Sequence, residues 1–86
     1  MSADDVFDIV RGAVARVLEV DPATVSRGTS FASDLHADSL ALVEVVEIVE
    51  AELQARTGTD FAIDDDDIED MQTVGEAADY ALARLS

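Results

Sequence analysis

Apolar residues recur along this chain with the period of an α-helix, and nowhere with the period of a strand. Val6, Phe7, Val10, Val14, Val17 and Leu18 fall three or four residues apart, on one stripe of a helix. The spacing predicts a helix over about Ala3 to Glu19, with Ser2, Asp4 and Asp5 suited to its positively polarised start. Asp21-Pro22 stops it, because proline lacks an amide donor and restricts the residue before it. Pro22 to Val25 reads as a single turn opened by Asp21. A second helix is expected over about Ser39 to Arg56, ended by Gly58. A short third is expected near Asp65 to Met71, entered through Phe61 and Ile63. The last covers about Val74 to Leu85, with Thr73 as N-cap and Glu76 completing a capping box. Its apolar face is Val74, Ala77, Ala78, Ala81, Leu82 and Leu85. The expected fold class is all-α: a four-helix bundle of three longer helices and one short third helix, without a sheet.

The longest aperiodic stretch runs from about Ser26 to Asp38, a long loop between helices one and two. Loops of this length in small domains are functional or disordered. Phe31 and Leu35 argue that this one is pinned to the core.

The chain has 86 residues, which reads as a single domain over 1–86. A domain this small buries roughly 60% of the surface its unfolded chain exposes. That leaves little room for a substrate cavity with catalytic machinery, and no catalytic cluster is evident. Cysteine is absent and His36 is the one histidine, which excludes disulfides, cysteine nucleophiles and multi-histidine metal sites. Twenty acids against five arginines and no lysine give a net charge of -15. Such a surface repels nucleic acid and anionic membranes and attracts proteins with basic patches. Hydrophobic residues at 49% are too many for a disordered coil. The N-terminus lacks the basic and apolar regions of a secretory signal, and charge interrupts every apolar run short of a membrane span. The expectation is a discrete, soluble, cytoplasmic monomer with no metal and no catalytic residue.

The second helix carries more information than the net charge. With Ser39 at zero and about 100° per residue, Leu42, Val45, Val46, Val49 and Leu53 fall between about 240° and 340°, a core face. Glu50, Glu47 and Glu44 fall at about 20°, 80° and 140°, with Val43 and Leu40 between them at about 40° and 100°. An acidic band with apolar residues set into it suits protein docking: the acids steer a basic partner and the apolar groups hold it. An ordinary solvated helix face has the same composition. Ser39 itself lies where loop becomes helix, beside unpaired amides that favour an anion. The simpler reading is that Asp38 or Ser39 is an N-cap.

Asp34-Leu35-His36-Ala37-Asp38-Ser39-Leu40, followed by Val43-Glu44, resembles the signature of the acyl carrier protein family. Leu18 to Pro22, Val25, Thr29 to Phe31, Thr73 to Gly75 and Asp79-Tyr80 extend the resemblance over nearly the whole chain. It implies a four-helix carrier of acyl groups, of fatty acid or polyketide type, with a covalent 4′-phosphopantetheine on Ser39. In that family a carrier protein synthase (a phosphopantetheinyl transferase) transfers the arm from coenzyme A with Mg²⁺. The serine hydroxyl attacks the pyrophosphate, so the carrier is a substrate and not the enzyme. The arm supplies the thiol that the chain lacks. The resemblance also implies that Asp38, Leu40, Val43, Glu44 and Glu47 meet the synthase and acyl-processing enzymes, and Glu50 extends their acidic band. Phe31, Leu42, Val46 and Val49 would line an acyl pocket with the last helix.

Three positions depart from the family pattern. His36 replaces a usual glycine, although histidine enters left-handed backbone more readily than most residues. About six additional residues lie between Gln54 and Ile63, and Asp64 replaces a common proline. Two other functional readings stand beside the carrier. A small acidic helical adaptor would not need Ser39. A calcium-binding protein would use Asp60 and the run from Asp64 to Asp70, but the glycine an EF-hand loop needs at its sixth position is missing.

Overall fold

The computed structural model describes residues 1–85, with the backbone only at Asp65. Its helices are α1 (Ala3–Leu18), α2 (Ser39–Thr57), α3 (Asp65–Asp70) and α4 (Val74–Leu85), with a 3₁₀ turn at Pro22–Thr24. The boundaries follow from local chemistry. Ser2 and Asp5 form a reciprocal capping box on α1: the Asp5 amide donates to Ser2 Oγ at 3.2 Å, and the Ser2 amide donates to the Asp5 carboxylate at 3.3 Å. The helix ends one residue earlier than the sequence suggests, because Glu19 turns left-handed (φ 56°) and donates its amide to Ala15. Pro22 therefore opens the next turn and does not itself stop α1. Asp21 caps that turn through the Ala23 amide at 2.9 Å. The second helix runs to Thr57 and stops at Gly58, whose φ of 69° makes it a left-handed cap.

α1 packs against both α2 and α4, while the short α3 rests on α2. The core holds Val6, Val10 and Val14 from α1 and Val45, Val46, Val49 and Leu53 from α2. From α4 it takes Val74, Ala77, Ala78 and Ala81. Loops contribute Val25, Phe31, Phe61 and Ile63.

The long loop is held at the start of α4 by main-chain bonds. Val74 donates to Thr29 at 3.0 Å, Gly75 to Arg27 at 2.9 Å, and Phe31 to Gln72 at 3.0 Å. Ser30 and Thr73 form an isolated antiparallel bridge, and no strand occurs among the described residues. A side chain at Gly75 would meet the Arg27 carbonyl oxygen at 2.8 Å, so the close approach of loop and helix requires glycine there. The Arg27–Asp79 ion pair at 2.7 Å spans the same junction. Both partners are exposed, so it adds at most about 1 kcal/mol. The capping box of α4 differs in one respect from expectation. The Glu76 amide donates to Thr73 Oγ at 3.2 Å, but the Glu76 carboxylate accepts from Gln72 rather than Thr73.

The additional residues after Gln54 lengthen α2 and its loop. Gln54 Nε2 donates to the Phe61 carbonyl at 2.7 Å, and Phe61 and Ile63 are buried.

Candidate functional site at the start of the second helix

Two side chains compete to cap α2, and Asp38 is the one that does. Its carboxylate accepts from the Ala41 amide at 2.8 Å, and its carbonyl accepts from Leu42 at 3.1 Å. Ser39 is the first helical residue, exposed, with no capping bond of its own. The approach to it is fixed by a turn. His36 adopts φ 53°, and Ala37 donates to the Phe31 carbonyl at 2.8 Å. A histidine thus fills a left-handed position where the family resemblance puts glycine, as the conformational tolerance of histidine allows.

Ser39 opens onto a cleft of about 460 Å³ between α2 and α3, lined also by Leu42, Val43, Ile68 and Glu69. Leu42 and Ile68 have a second face. With Phe31, Val46, Val49 and Met71 they line an apolar seam in the core whose free volume is only about 10 Å³. That is about the minimum a single water needs. The four residues expected at an acyl pocket therefore meet along one seam, and the seam is closed. Sequence reasoning missed Ile68, Met71 and Ile63 on its far wall. The available signal was Ile68 itself, an apolar residue set in an otherwise acidic run.

Along α2 the wheel separates into two parts. Leu40 is 67% exposed, Glu44 and Glu47 are exposed, and Val43 is half-buried beside the cleft. Glu50 is half-buried as well, and its carboxylate accepts from the Ile63 amide at 3.1 Å. It anchors the loop before α3 instead of continuing the open acidic band. Ile48, at the back of α2, borders a separate groove of about 390 Å³ against α1, with Gly12, Arg16 and Arg56.

α3 is tied across to α4 by the Tyr80 hydroxyl, which donates to the Asp67 carboxylate. That bond, reinforced by partial burial, pushes the Tyr80 phenol above its ordinary range. No group of three or more acidic or histidine side chains that could hold a metal occurs among the described residues. The Asp65 side chain, counted in the calcium reading, lies outside them.

The chain matches the family described as "Phosphopantetheine attachment site" over residues 8–81. It is 42% identical over 81 residues to the acyl carrier protein of Phenylobacterium zucineum, covering 94% of this chain and 95% of that one. It is 36% identical over 80 residues to the acyl carrier protein of Lactobacillus acidophilus, covering 93% and 92%.

The chain belongs to the acyl carrier protein family.

As an acyl carrier protein it takes a covalently attached 4′-phosphopantetheine and is a carrier, not an enzyme. Its role requires contact with a synthase and with acyl-processing enzymes. No helix among the described residues is long and apolar enough to cross a membrane.

Proposed function

We propose that Ser39 carries the 4′-phosphopantetheine arm and that the first turns of α2 dock the enzymes that load and use it. The observation that carries this reading is the division of labour at the helix start: Asp38 caps α2, which leaves the exposed Ser39 hydroxyl without a structural role. The residues there fit an esterified phosphate. The amides of Ser39 and Leu40 have no acceptor within the helix, and the helix dipole favours an anion at that end. When bound, the arm supplies a terminal thiol that holds acyl groups as thioesters. Ser39 presents that thiol from a rigid element, and its own hydroxyl is the nucleophile that the synthase must activate.

Leu40, exposed between acids, supplies the apolar anchor of the docking face. Asp38, Glu44 and Glu47 supply the charge that steers basic partners, and Val43 links the face to the cleft. Glu50 contributes by holding the loop before α3. The Asp38-Ser39-Leu40 sequence favours fatty acid or polyketide synthesis as the pathway. The closed seam along Phe31, Leu42, Val46 and Val49 has to widen before it shelters an apolar tail.

The adaptor reading makes the opposite prediction at Ser39. Ser39→Ala is expected to keep the circular dichroism spectrum and melting temperature of the parent chain while losing all capacity to accept an acyl group in a reconstituted synthase. Retained acyl transfer by this variant sinks the proposal.

A further inference from the structure

α3 has little to hold it in place on its own. It is six residues long, far below the length at which an isolated helix persists in water. Asp64 occupies its N-cap position without making a side-chain capping bond. Every side chain from Asp64 to Asp70 is acidic except Ile68. Glu69 and Asp70 also sit at its C-terminal end, where the helix dipole disfavours negative charge. Its position therefore depends on tertiary contacts.

Those contacts are few. Ile68, buried, packs α3 onto α2, and Met71 follows into the core. Among the described residues, one side-chain hydrogen bond joins α3 to another helix: the one from Tyr80 on α4 to Asp67. Arg84 lies over the Tyr80 ring, 5.9 Å from its centroid. Asp67 and Ile68 are neighbours on α3. Ile68, in turn, lines both the open cleft at Ser39 and the closed core seam. Moving α3 away from α2 withdraws Ile68 from Leu42 and joins the two spaces.

We infer that the Tyr80–Asp67 hydrogen bond is a latch that holds α3 over the seam and sets how readily this carrier admits an apolar acyl tail. Neither Tyr80 nor Asp67 lines the cleft at Ser39. The latch acts on α3 from α4, while Leu40, Glu44 and Glu47 lie on α2. The inference rests on the proposed attachment at Ser39 for its functional consequence. The mechanical part does not.

The test separates the two. Amide hydrogen exchange is followed by NMR in the unmodified chain and in Tyr80→Phe, which keeps the ring and removes the hydroxyl. The amides of Ile68 and Met71, which donate to Asp64 and Ile68, are expected to exchange at least about 5-fold faster in the variant, the loss of one hydrogen bond. Those of Val10 and Val14 in α1 stay unchanged. Asp67→Asn keeps an acceptor oxygen and is expected to retain most of the protection. Unchanged exchange at Ile68 and Met71 overturns the latch, and so does an equal acceleration in α1, which would mean global destabilisation. In a second arm, both proteins are loaded and acylated with short and long saturated chains, and thioester hydrolysis is followed. The long-chain thioester is expected to hydrolyse more slowly, relative to the short one, in Tyr80→Phe than in the parent chain, because the released seam shelters its tail. An unchanged or increased ratio overturns the link to tail admission. Failure of both proteins to load counts against Ser39, and leaves the exchange result to decide the latch.

Discussion

At the scale of single residues, the site depends on side chains relieved of structural duty and on others tightly bound to it. Asp38 spends its carboxylate on the Ala41 amide, and Ser39 is exposed one position later. Gly75 illustrates the opposite case. Its Cα faces the Arg27 backbone so closely that a methyl group would lie 2.8 Å from the carbonyl oxygen and 3.0 Å from Arg27 Cβ. Gly75→Ala is therefore expected to destabilise the fold by about 1–3 kcal/mol, although alanine is the better helix former. Urea denaturation followed by circular dichroism checks the sign: a stabilised variant would contradict the packing at this junction. The requirement was invisible in the sequence, because Arg27 and Gly75 meet only after the long loop folds back onto α4. His36 was legible because its constraint is local, a left-handed turn immediately before the helix.

At the scale of elements, α2 was read almost completely from its periodicity. The wheel separated the core face from the exposed Leu40, Glu44 and Glu47 because both faces repeat along one uninterrupted helix. It placed Glu50 in the same band, since angle alone does not reveal that the Ile63 amide lies within reach of its carboxylate. The two classes of acid predict different phenotypes. Glu44→Lys with Glu47→Lys is expected to lower the synthase kcat/KM by about 10-fold or more at low salt, with the deficit shrinking as salt rises, while the melting temperature holds. Glu50→Ala is expected to lower the melting temperature instead, by leaving the Ile63 amide without its partner. Synthase kinetics and thermal melts on both variants distinguish them, and equal kinetic losses would contradict the division. α3 was the least legible element: its length is below any periodic signal, and its link to α4 joins residues 13 apart. That link has its own pH signature. Tyr80 is the one tyrosine in a chain without tryptophan, so its ionisation is readable by ultraviolet absorbance. Its folded value is raised, chiefly by the bond to Asp67. The stabilisation is fully present below the unfolded phenol value and is lost as pH rises through the higher folded one. The titration midpoint is expected to exceed that of free tyrosine and to fall in Asp67→Ala, and a midpoint unmoved by that substitution would contradict the bond.

At the scale of the whole molecule, the net charge of -15 is unevenly used. Part of it caps helices, at Asp5, Asp21 and Asp38. Part anchors loops, at Glu50 and Asp34, whose carboxylate accepts from the Ser30 amide at 2.7 Å. What stays open beside Ser39 is a small acidic patch around an exposed leucine. The fold class was legible because four helices with sharp stops leave few ways to bury their stripes. The closed seam was not, because it depends on how α3 seats Ile68 against Leu42. The molecule that results presents a substrate and leaves the chemistry to others, and that claim turns on a single hydroxyl. The most direct measurement is tandem mass spectrometry of the folded protein after incubation with coenzyme A, Mg²⁺ and a broad-specificity carrier protein synthase. One phosphopantetheinyl group is expected, mapped to Ser39 and absent from Ser39→Ala. A folded chain that gains no such group, or gains it at another residue, would contradict the account.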